Sequence, residues 1–244
     1  MTERPTLVPT SIGPAGVILG EPDGEARGAA VVLQGLASPR SGTGRILATT
    51  ARALVDEGFL VLRVDYPGMG DSSRAEGGSE THRPFLREVV AWFRQETGAG
   101  PVGAVGSCYG ARLALALAAE GVVDAGLLLV TPWVSARHAR ARLSNARRRV
   151  RRRLGLPAPL DPDAVADLRA ASSTLPVRVL VGEADTQERA TLRAAARRLP
   201  NPVQVDVEPG LRLHPLRTTL ARQAVTAWVV RRADHLVVAE TVEV

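Results

Sequence analysis

The pattern that most constrains this fold is an alternation of short apolar runs with longer segments of helical periodicity. The runs are rich in Val, Leu and Ala, and they recur along most of the 244 residues. Strands that are buried on both faces give such uninterrupted apolar runs, and the helices between them cover the two faces. The sequence therefore predicts an α/β fold with a mostly parallel central sheet and helices on both faces.

The predicted strands and helices follow one another along the chain. Strands are predicted at 17–20, 29–34, 59–64, 101–105, 122–130, 177–181 and 203–207. Helices are predicted at 46–57, 81–97, 111–119, 186–199 and 216–231. Because Pro22, Asp23 and Gly24 form a turn sequence between the first two strands, we expect these strands to pair as a hairpin.

One interval, 132–175, is too long for an ordinary connection between two elements of such a fold. We expect it to form an inserted cap of two or more helices, while 1–131 and 176–244 form the core. Within this interval, residues 137–153 contain nine Arg and no Asp or Glu. The rest of the chain then holds 22 basic and 25 acidic residues, so the net charge of +6 comes from this Arg-rich segment.

The Arg-rich segment has three interpretations. It is a solvated charged face, or it receives an anionic substrate group or an acidic acyl carrier protein through Arg147, Arg148 and Arg151. The third interpretation is nucleic-acid binding, which we do not expect because no aromatic residue lies among the arginines and no recognition motif accompanies them. Trp133, just before this segment, is predicted to pack or to line a substrate pocket.

Five residues between an apolar strand and an Ala- and Leu-rich helix carry the most specific signal, Gly106-Ser107-Cys108-Tyr109-Gly110. In a tight strand-to-helix turn, glycines two residues before and after the central residue avoid clashes with neighbouring backbone. Such a turn presents Cys108 at the carboxyl edge of the sheet, where the helix N-terminus favours a thiolate. Ser107 is out of register for this role. The alternative is that Cys108 is a buried apolar residue.

Three further loops make the sequence resemble the α/β-hydrolase superfamily over nearly the whole chain. Asp185 follows the predicted strand at 177–181, and His214 lies between the last predicted strand and the final helix. Residues 65–72, Asp-Tyr-Pro-Gly-Met-Gly-Asp-Ser, are similar to the D-x-x-G-x-G-x-S loop of that family. Nucleophile, acid and histidine also come in the family's chain order. In having a Cys at this turn, the chain is similar to the dienelactone hydrolases. Residues 34–37, however, lack the carboxylate that those enzymes have near the oxyanion loop.

The resemblance implies a role for each of these residues. His214 takes the proton of Cys108 and later activates the acceptor, while Asp185 orients the imidazole. The backbone N–H groups of Tyr109 and Leu36 form the oxyanion hole.

Two of the matched loops also have other interpretations. Asp185 is well suited to be the N-cap of the helix that follows it. The loop 65–72 is predicted to be structural because its glycines suit a tight turn. A pocket-lining role for Tyr66 or Met69 is the alternative there.

The predicted function is that of a cysteine-nucleophile hydrolase that cleaves or transfers an acyl group from an ester or thioester. Because an acyl group on sulfur also reacts with amines, thiols and hydroxyls, a biosynthetic enzyme that performs cyclisation, elimination or acyl transfer is an alternative. A lactone hydrolase and a non-catalytic module that binds an acidic protein are the others. The expected substrate is a small acyl compound, and no cofactor or metal is predicted.

The remaining features concern the compartment. Cys108 is the single cysteine, so the chain forms no internal disulfide. The N-terminus does not have the basic and apolar regions of a secretory signal. The longest apolar run, 125–130, is too short to cross a membrane. We therefore expect a cytoplasmic protein without a membrane span.

Overall fold

The computed structural model describes residues 1–36, 38–74, 78–135, 150, 154, 156–213, 216 and 218–237. The strands are β1 (Thr2–Val8), β2 (Ala15–Glu21), β3 (Gly28–Leu33), β4 (Phe59–Val64), β5 (Val102–Ser107), β6 (Leu127–Val130), β7 (Val177–Gly182) and β8 (Gln204–Glu208). The α-helices are α1 (Ile46–Asp56), α2 (His82–Thr97), α3 (Tyr109–Ala119), α4 (Pro162–Thr174), α5 (Thr186–Ala196) and α6 (Thr219–Arg231). Single 3₁₀ turns lie at Thr43–Arg45, Ser79–Thr81 and Ala233–Leu236.

The strands of the described chain form one sheet of eight strands in the order β1-β2-β4-β3-β5-β6-β7-β8. The six strands from β4 to β8 in this order pair in parallel. Only the pairs β1 with β2 and β2 with β4 are antiparallel. The predicted α/β fold with a mostly parallel sheet is confirmed.

Helices cover both faces of this sheet. Buried residues of α2, α3, α4 and α5 share one hydrophobic cluster, and those of α1 and α6 share another. Strand β3 contributes to both clusters, because Val31 and Leu33 belong to the first while Ala30 and Val32 belong to the second. Since successive side chains of a strand point to opposite faces, β3 is buried on both sides, which explains its continuous apolar sequence.

The expected hairpin between the first two predicted strands is wrong. Strand β2 pairs with β1 on one side and with β4 on the other, and β3 lies beyond β4. Strand β1 was not predicted, since its sequence is polar and contains Pro5. Proline is tolerated there because β1 is the edge strand of the sheet. A local turn sequence at 22–24 does not determine which strands pair, because β4 competes for the same edge of β2.

Two other boundaries differ from the predicted ones. The strand predicted at 122–130 is confined to β6, because Val122 and Val123 turn back and donate backbone hydrogen bonds to Leu117 at the end of α3. In the interval 132–175, the last part is α4, whose Leu168 and Ala171 are buried in the same cluster as α3. This helix therefore packs in the core. Residues 136–149 and 151–153, which carry the Arg-rich segment, lie outside the described residues, so the cap stays a prediction.

An ion-pair cluster ties the edge strand to the rest of the sheet. The carboxylate of Glu3 in β1 accepts hydrogen bonds from Arg63 in β4 at 2.6 Å and from Arg52 in α1 at 2.7 Å. Only 4 % of the Arg63 side chain is exposed. Burial lowers the pKa of Arg63, and the charge of Glu3 opposes this effect. The hydrogen bond from Arg52 in turn lowers the pKa of Glu3. Glu3 thus neutralises a buried cation.

The substitution Glu3→Gln tests this contact. We expect the free energy of unfolding to fall by about 3 kcal/mol, because a buried charge that loses its partner is costly. The matched control is Arg4→Gln in the same strand, where Arg4 and Glu96 form an exposed pair. Such pairs contribute roughly 0–1 kcal/mol. Urea denaturation of both variants measures the difference, and equal losses would contradict the buried-charge interpretation.

Candidate active site

Cys108 occupies a strained turn between β5 and α3. Its backbone has φ 54° and ψ −109°, in a region that side-chain-bearing residues rarely adopt. The Cys108 N–H donates to the carbonyl of Val130 at 3.0 Å, and its carbonyl accepts from Trp133 at 3.3 Å. Strand β6 and the loop after it therefore hold both sides of the turn. The side chain is half-buried.

The two glycines of the motif are required by close backbone contacts. A Cβ atom at Gly106 would lie 2.6 Å from the backbone N and Cα of Ala111. A Cβ atom at Gly110 would lie 2.2 Å from the carbonyl oxygen of Leu33 and 2.6 Å from that of Gln34. The start of α3 thus rests directly on the end of β3. The spacing of the motif predicted this geometry, and Ser107, as the last residue of β5, is in the strand ladder opposite Val130.

Asp185 lies at the end of β7, where its carboxylate is directed toward the loop that carries His214. The side chain is 2 % exposed, and it accepts a hydrogen bond of 2.6 Å from the N–H of Leu213. Asp185 occupies the N-cap position of α5, but its side chain makes no capping hydrogen bond there. The helix-capping alternative is therefore not the arrangement observed. His214 follows Leu213 but lies outside the described residues, so its pairing with Asp185 stays a prediction.

The loop after β3 is held beside the strand-to-helix turn at 106–110, here called the elbow. The carbonyl of Gln34 accepts a hydrogen bond of 2.8 Å from the hydroxyl of Tyr66. Burial raises the pKa of Tyr66 well above its usual value, so this hydroxyl remains a donor. A Cβ at Gly35 would lie 4.0 Å from the carbonyl of Ser107, which shows how closely the loop approaches the turn. Leu36 is partly exposed. Its role as an oxyanion-hole donor stays a prediction.

The loop 65–72 packs as a structural support. The buried carboxylate of Asp65 accepts a hydrogen bond from the backbone N–H of Arg40 at 2.9 Å and forms an ion pair with its guanidinium. A Cβ at Gly70 would lie 2.0 Å from this carboxylate. Asp65 therefore anchors the chain that follows β3. Tyr66 is fully buried and Met69 packs against the core, and among the described residues neither lines the cavity at Cys108.

A buried cluster of His82 and the two tyrosines was not predicted. The ring of His82 stacks on Tyr66 at 4.9 Å between centroids, and its Nδ1 lies 3.1 Å from the hydroxyl oxygen of Tyr109. Burial lowers the pKa of His82, and the nearby charge of Glu80 only partly opposes this. The cluster links the start of α2 to Tyr109, the residue after Cys108. The sequence offered one sign that the tyrosines belong to the site, because the chain contains just two and each lies in a motif that matches the family.

Cys108 opens into a cavity of about 100 Å³. The described residues that line it are Cys108, Thr131, Pro132, Trp133, Val134, Ser135, Ala158, Gln187, Glu188 and Thr191. Trp133 thus lies in the wall of the same cavity as the thiol. Arg147, Arg148 and Arg151 lie outside the described residues, and their predicted contacts stay predictions.

The described part of the chain contains neither a group of metal ligands nor a membrane-spanning helix. Its His, Cys, Asp and Glu side chains form no group of three that could hold a metal ion. None of the described helices is both long and apolar enough to cross a membrane.

The substitution Gly110→Ala tests the contact between α3 and β3. We expect it to lower the free energy of unfolding by about 1–3 kcal/mol, because backbone atoms must move to admit the methyl group. Gly100→Ala is the control, since no atom lies within 4 Å of a Cβ at Gly100. Urea denaturation compares the two. A stable Gly110→Ala variant would show that the contact is not tight.

The buried His82 predicts a loss of stability in acid. Because its pKa is lowered in the folded state, the unfolded chain binds the proton more readily, so stability falls as the pH drops below roughly 6.5. The non-titrating His82→Gln variant should lose less stability between pH 8 and pH 5 than the unsubstituted protein. Urea midpoints at the two pH values measure this. Parallel pH profiles would refute the assignment to His82, since His235 titrates in both proteins.

Comparison with known proteins agrees with this geometry. The model of the alpha/beta hydrolase fold family matches residues 31–166, which is more than half of the chain. No protein among the curated sequences matches.

Several solved structures share the fold at low sequence identity. A lidless α/β serine hydrolase from Xanthomonas campestris is 19 % identical, with a TM-score of 0.66 and 94 % of each chain covered. A thermostable carboxyl esterase from Bacillus coagulans is 15 % identical, with a TM-score of 0.70, covering 98 % of this chain and 100 % of that one. A monoglyceride lipase from Saccharomyces cerevisiae is 14 % identical, with a TM-score of 0.70 and coverage of 98 % and 97 %. By its family match and its strand-turn-helix geometry, the chain belongs to the α/β-hydrolase fold family.

Proposed function

We propose that this protein hydrolyses ester or thioester bonds with Cys108 as the nucleophile, His214 as the general base and Asp185 as the residue that orients the imidazole. The observation that carries the proposal is the conformation of Cys108, at φ 54° in a turn that opens into a cavity. A merely structural cysteine has no need of such strain, which is typical of functional sites. The esterase and the lipase that share this fold support an ester as the bond cleaved.

In the first step the thiolate of Cys108 attacks the carbonyl carbon of the substrate. A carbon–sulfur bond forms while the carbonyl π electrons move to oxygen, and His214 holds the proton taken from the thiol. When the tetrahedral intermediate collapses, the bond to the alcohol or thiol breaks, and the leaving group takes that proton. The product of this step is an acyl group on Cys108.

The second step returns the enzyme to its starting state. Water gives a proton to His214 and attacks the acyl carbon, and the carbon–sulfur bond then breaks to release the acid. Asp185 would hold the imidazole in the correct orientation throughout. Its hydrogen bond to the N–H of Leu213 supports this role, since the carboxylate is fixed to the residue that precedes His214.

The oxyanion of both steps needs hydrogen-bond donors near the thiol. Tyr109 begins α3 directly after Cys108, and the N–H groups at the start of a helix point toward its N-terminal end, where an anion is stabilised. We assign the second donor to the N–H of Leu36, because the loop after β3 is held close to the elbow by Tyr66 and by the packing of Gly110.

The finer hypotheses about the substrate depend on the Arg-rich segment. Docking of an acidic acyl carrier protein, or a role as a non-catalytic binding module, needs contacts at the arginines of 147–149 and 151–153, which lie outside the described residues. Both stay predictions. The covalent intermediate also leaves open acyl transfer, cyclisation or elimination, as well as the opening of a lactone, since the acceptor determines the product.

Intact-mass spectrometry tests the nucleophile. After exposure to a panel of acyl esters and thioesters, the protein should gain the mass of one acyl group on Cys108. The variant Cys108→Ala should carry no adduct and lose about 10⁴-fold or more of turnover, as expected when a nucleophile is removed. Cys108→Ser should keep part of the activity only if the turn accepts the shorter and less acidic group.

Ser107→Ala is the matched control, because Ser107 is adjacent but lies in the strand ladder. It should keep the adduct and most of the activity. Full activity in Cys108→Ala would refute the proposal. Turnover in ¹⁸O-labelled water separates the reaction types, since hydrolysis must place the label in the acid, whereas transfer or cyclisation does not.

A further inference from the structure

Trp133 separates the cavity at Cys108 from a second cavity. The second cavity has a volume of about 190 Å³ and is lined, among the described residues, by Ser79, Arg83, Tyr109, Arg112, Leu113, Ala116, Trp133, Ser135 and Asp161. Trp133 and Ser135 line both cavities. The two spaces therefore share one wall, and the indole is its largest side chain.

This wall is fixed in place by hydrogen bonds along its length. The indole N–H of Trp133 donates to the hydroxyl of Ser135 at 2.9 Å, and its backbone N–H donates to the carbonyl of Cys108 at 3.3 Å. The N–H of Thr131, which has a positive φ of 44°, donates to Leu180 at 2.9 Å. At the other end of the wall, Ser135 forms an isolated antiparallel β-bridge with Leu160. The position of the indole relative to the thiol is thus set by backbone contacts on both sides.

The first cavity has room for a short acyl group. Its 100 Å³ is smaller than the roughly 150 Å³ cavity that is known to accept benzene. Pro132, Val134 and Ala158 give it an apolar part. The indole of Trp133 lies in the wall that an acyl chain would have to pass to reach the second cavity.

The second cavity offers one apolar side to a hydrocarbon chain, while Ser79, Ser135 and Asp161 add polar groups to its lining. Tyr109, Leu113 and Ala116 form an apolar wall from one side of α3. Its two cations are already neutralised, because Arg112 pairs with Asp167 and Arg83 pairs with Glu120. This argues against an anionic ligand, which would have to compete with carboxylates for both guanidinium groups.

The geometry points to Trp133 as the residue that limits the length of the acyl chain. This inference rests on the proposed function, because it concerns the acyl group of that reaction. With the indole present, the site accepts acyl groups of about two to four carbons. Removal of the indole joins the two cavities and admits longer chains. Trp133 acts here through size and position and takes no part in proton transfer.

Thiol labelling tests the wall without relying on catalysis. Alkyl methanethiosulfonates react with a thiolate, which forms a disulfide with the alkyl-bearing sulfur and releases methanesulfinate. Cys108 is the single cysteine, so each reaction reports on this site. In the unsubstituted protein the methyl reagent should react about 10-fold faster than the octyl reagent, relative to their rates with a free thiol. In Trp133→Ala the octyl rate should rise about 10-fold while the methyl rate changes little.

Two further variants serve as controls. Trp133→Phe keeps a ring in the wall and should give an intermediate ratio, which also covers the case in which Trp133→Ala fails to fold. Trp92→Ala removes a partly buried tryptophan from α2 and should leave the ratio unchanged. An octyl-to-methyl ratio near one in the unsubstituted protein, or a ratio unaffected by either Trp133 variant, would overturn the inference.

Ester turnover then connects the wall to the reaction. With p-nitrophenyl esters from acetate to decanoate, kcat/KM should peak at short chains in the unsubstituted protein and shift to longer chains in Trp133→Ala. An unshifted profile in an active Trp133→Ala enzyme overturns the inference. If labelling shows the expected selectivity but no ester acylates Cys108, the proposed function fails. The role of Trp133 as the wall that restricts access by long chains is then still supported.

Discussion

The candidate site depends on the close contact between the start of α3 and the end of β3. At Gly110 the backbone of the helix lies against the carbonyls of Leu33 and Gln34, with no room for a side chain. This contact, together with the packing of Gly106 on Ala111, leaves Cys108 at a positive φ. Because packed backbone resists displacement, Cys108, the N-terminus of α3 and the loop after β3 form one rigid unit.

The other parts of the site reach this unit from neighbouring strand ends. Parallel strands bring their carboxyl ends to one edge of the sheet, which is where ligands bind in open α/β sheets. Tyr66 comes from the end of β4, Trp133 from the end of β6 and Asp185 from the end of β7. Each is held by a backbone hydrogen bond, to Gln34, to Cys108 and to Leu213 respectively. Residues far apart in sequence therefore converge because of strand direction.

The sequence predicted the elements well where their signal is local. The buried strands β3, β4, β5 and β7 were found because burial on two faces demands continuous apolar residues. The hairpin was wrong because strand pairing is a competition between distant segments, and β4 rather than β3 pairs with β2. Strand β1 was missed because an edge strand needs little apolar sequence. Its link through Glu3 to the buried Arg63 is visible only once β1 and β4 occupy the same sheet.

By itself, the sequence determined the turn at 106–110 and placed Cys108 at its centre, because a G-x-C-x-G pattern between a strand and a helix specifies a turn from local steric requirements. The tertiary structure alone decided that Asp185 bonds to the backbone of Leu213 rather than capping α5, and that His82 stacks on Tyr66. It also decided the size of the cavity and the position of Trp133 in its wall. These features are distances between elements that are remote along the chain, and local sequence patterns carry no information about such distances.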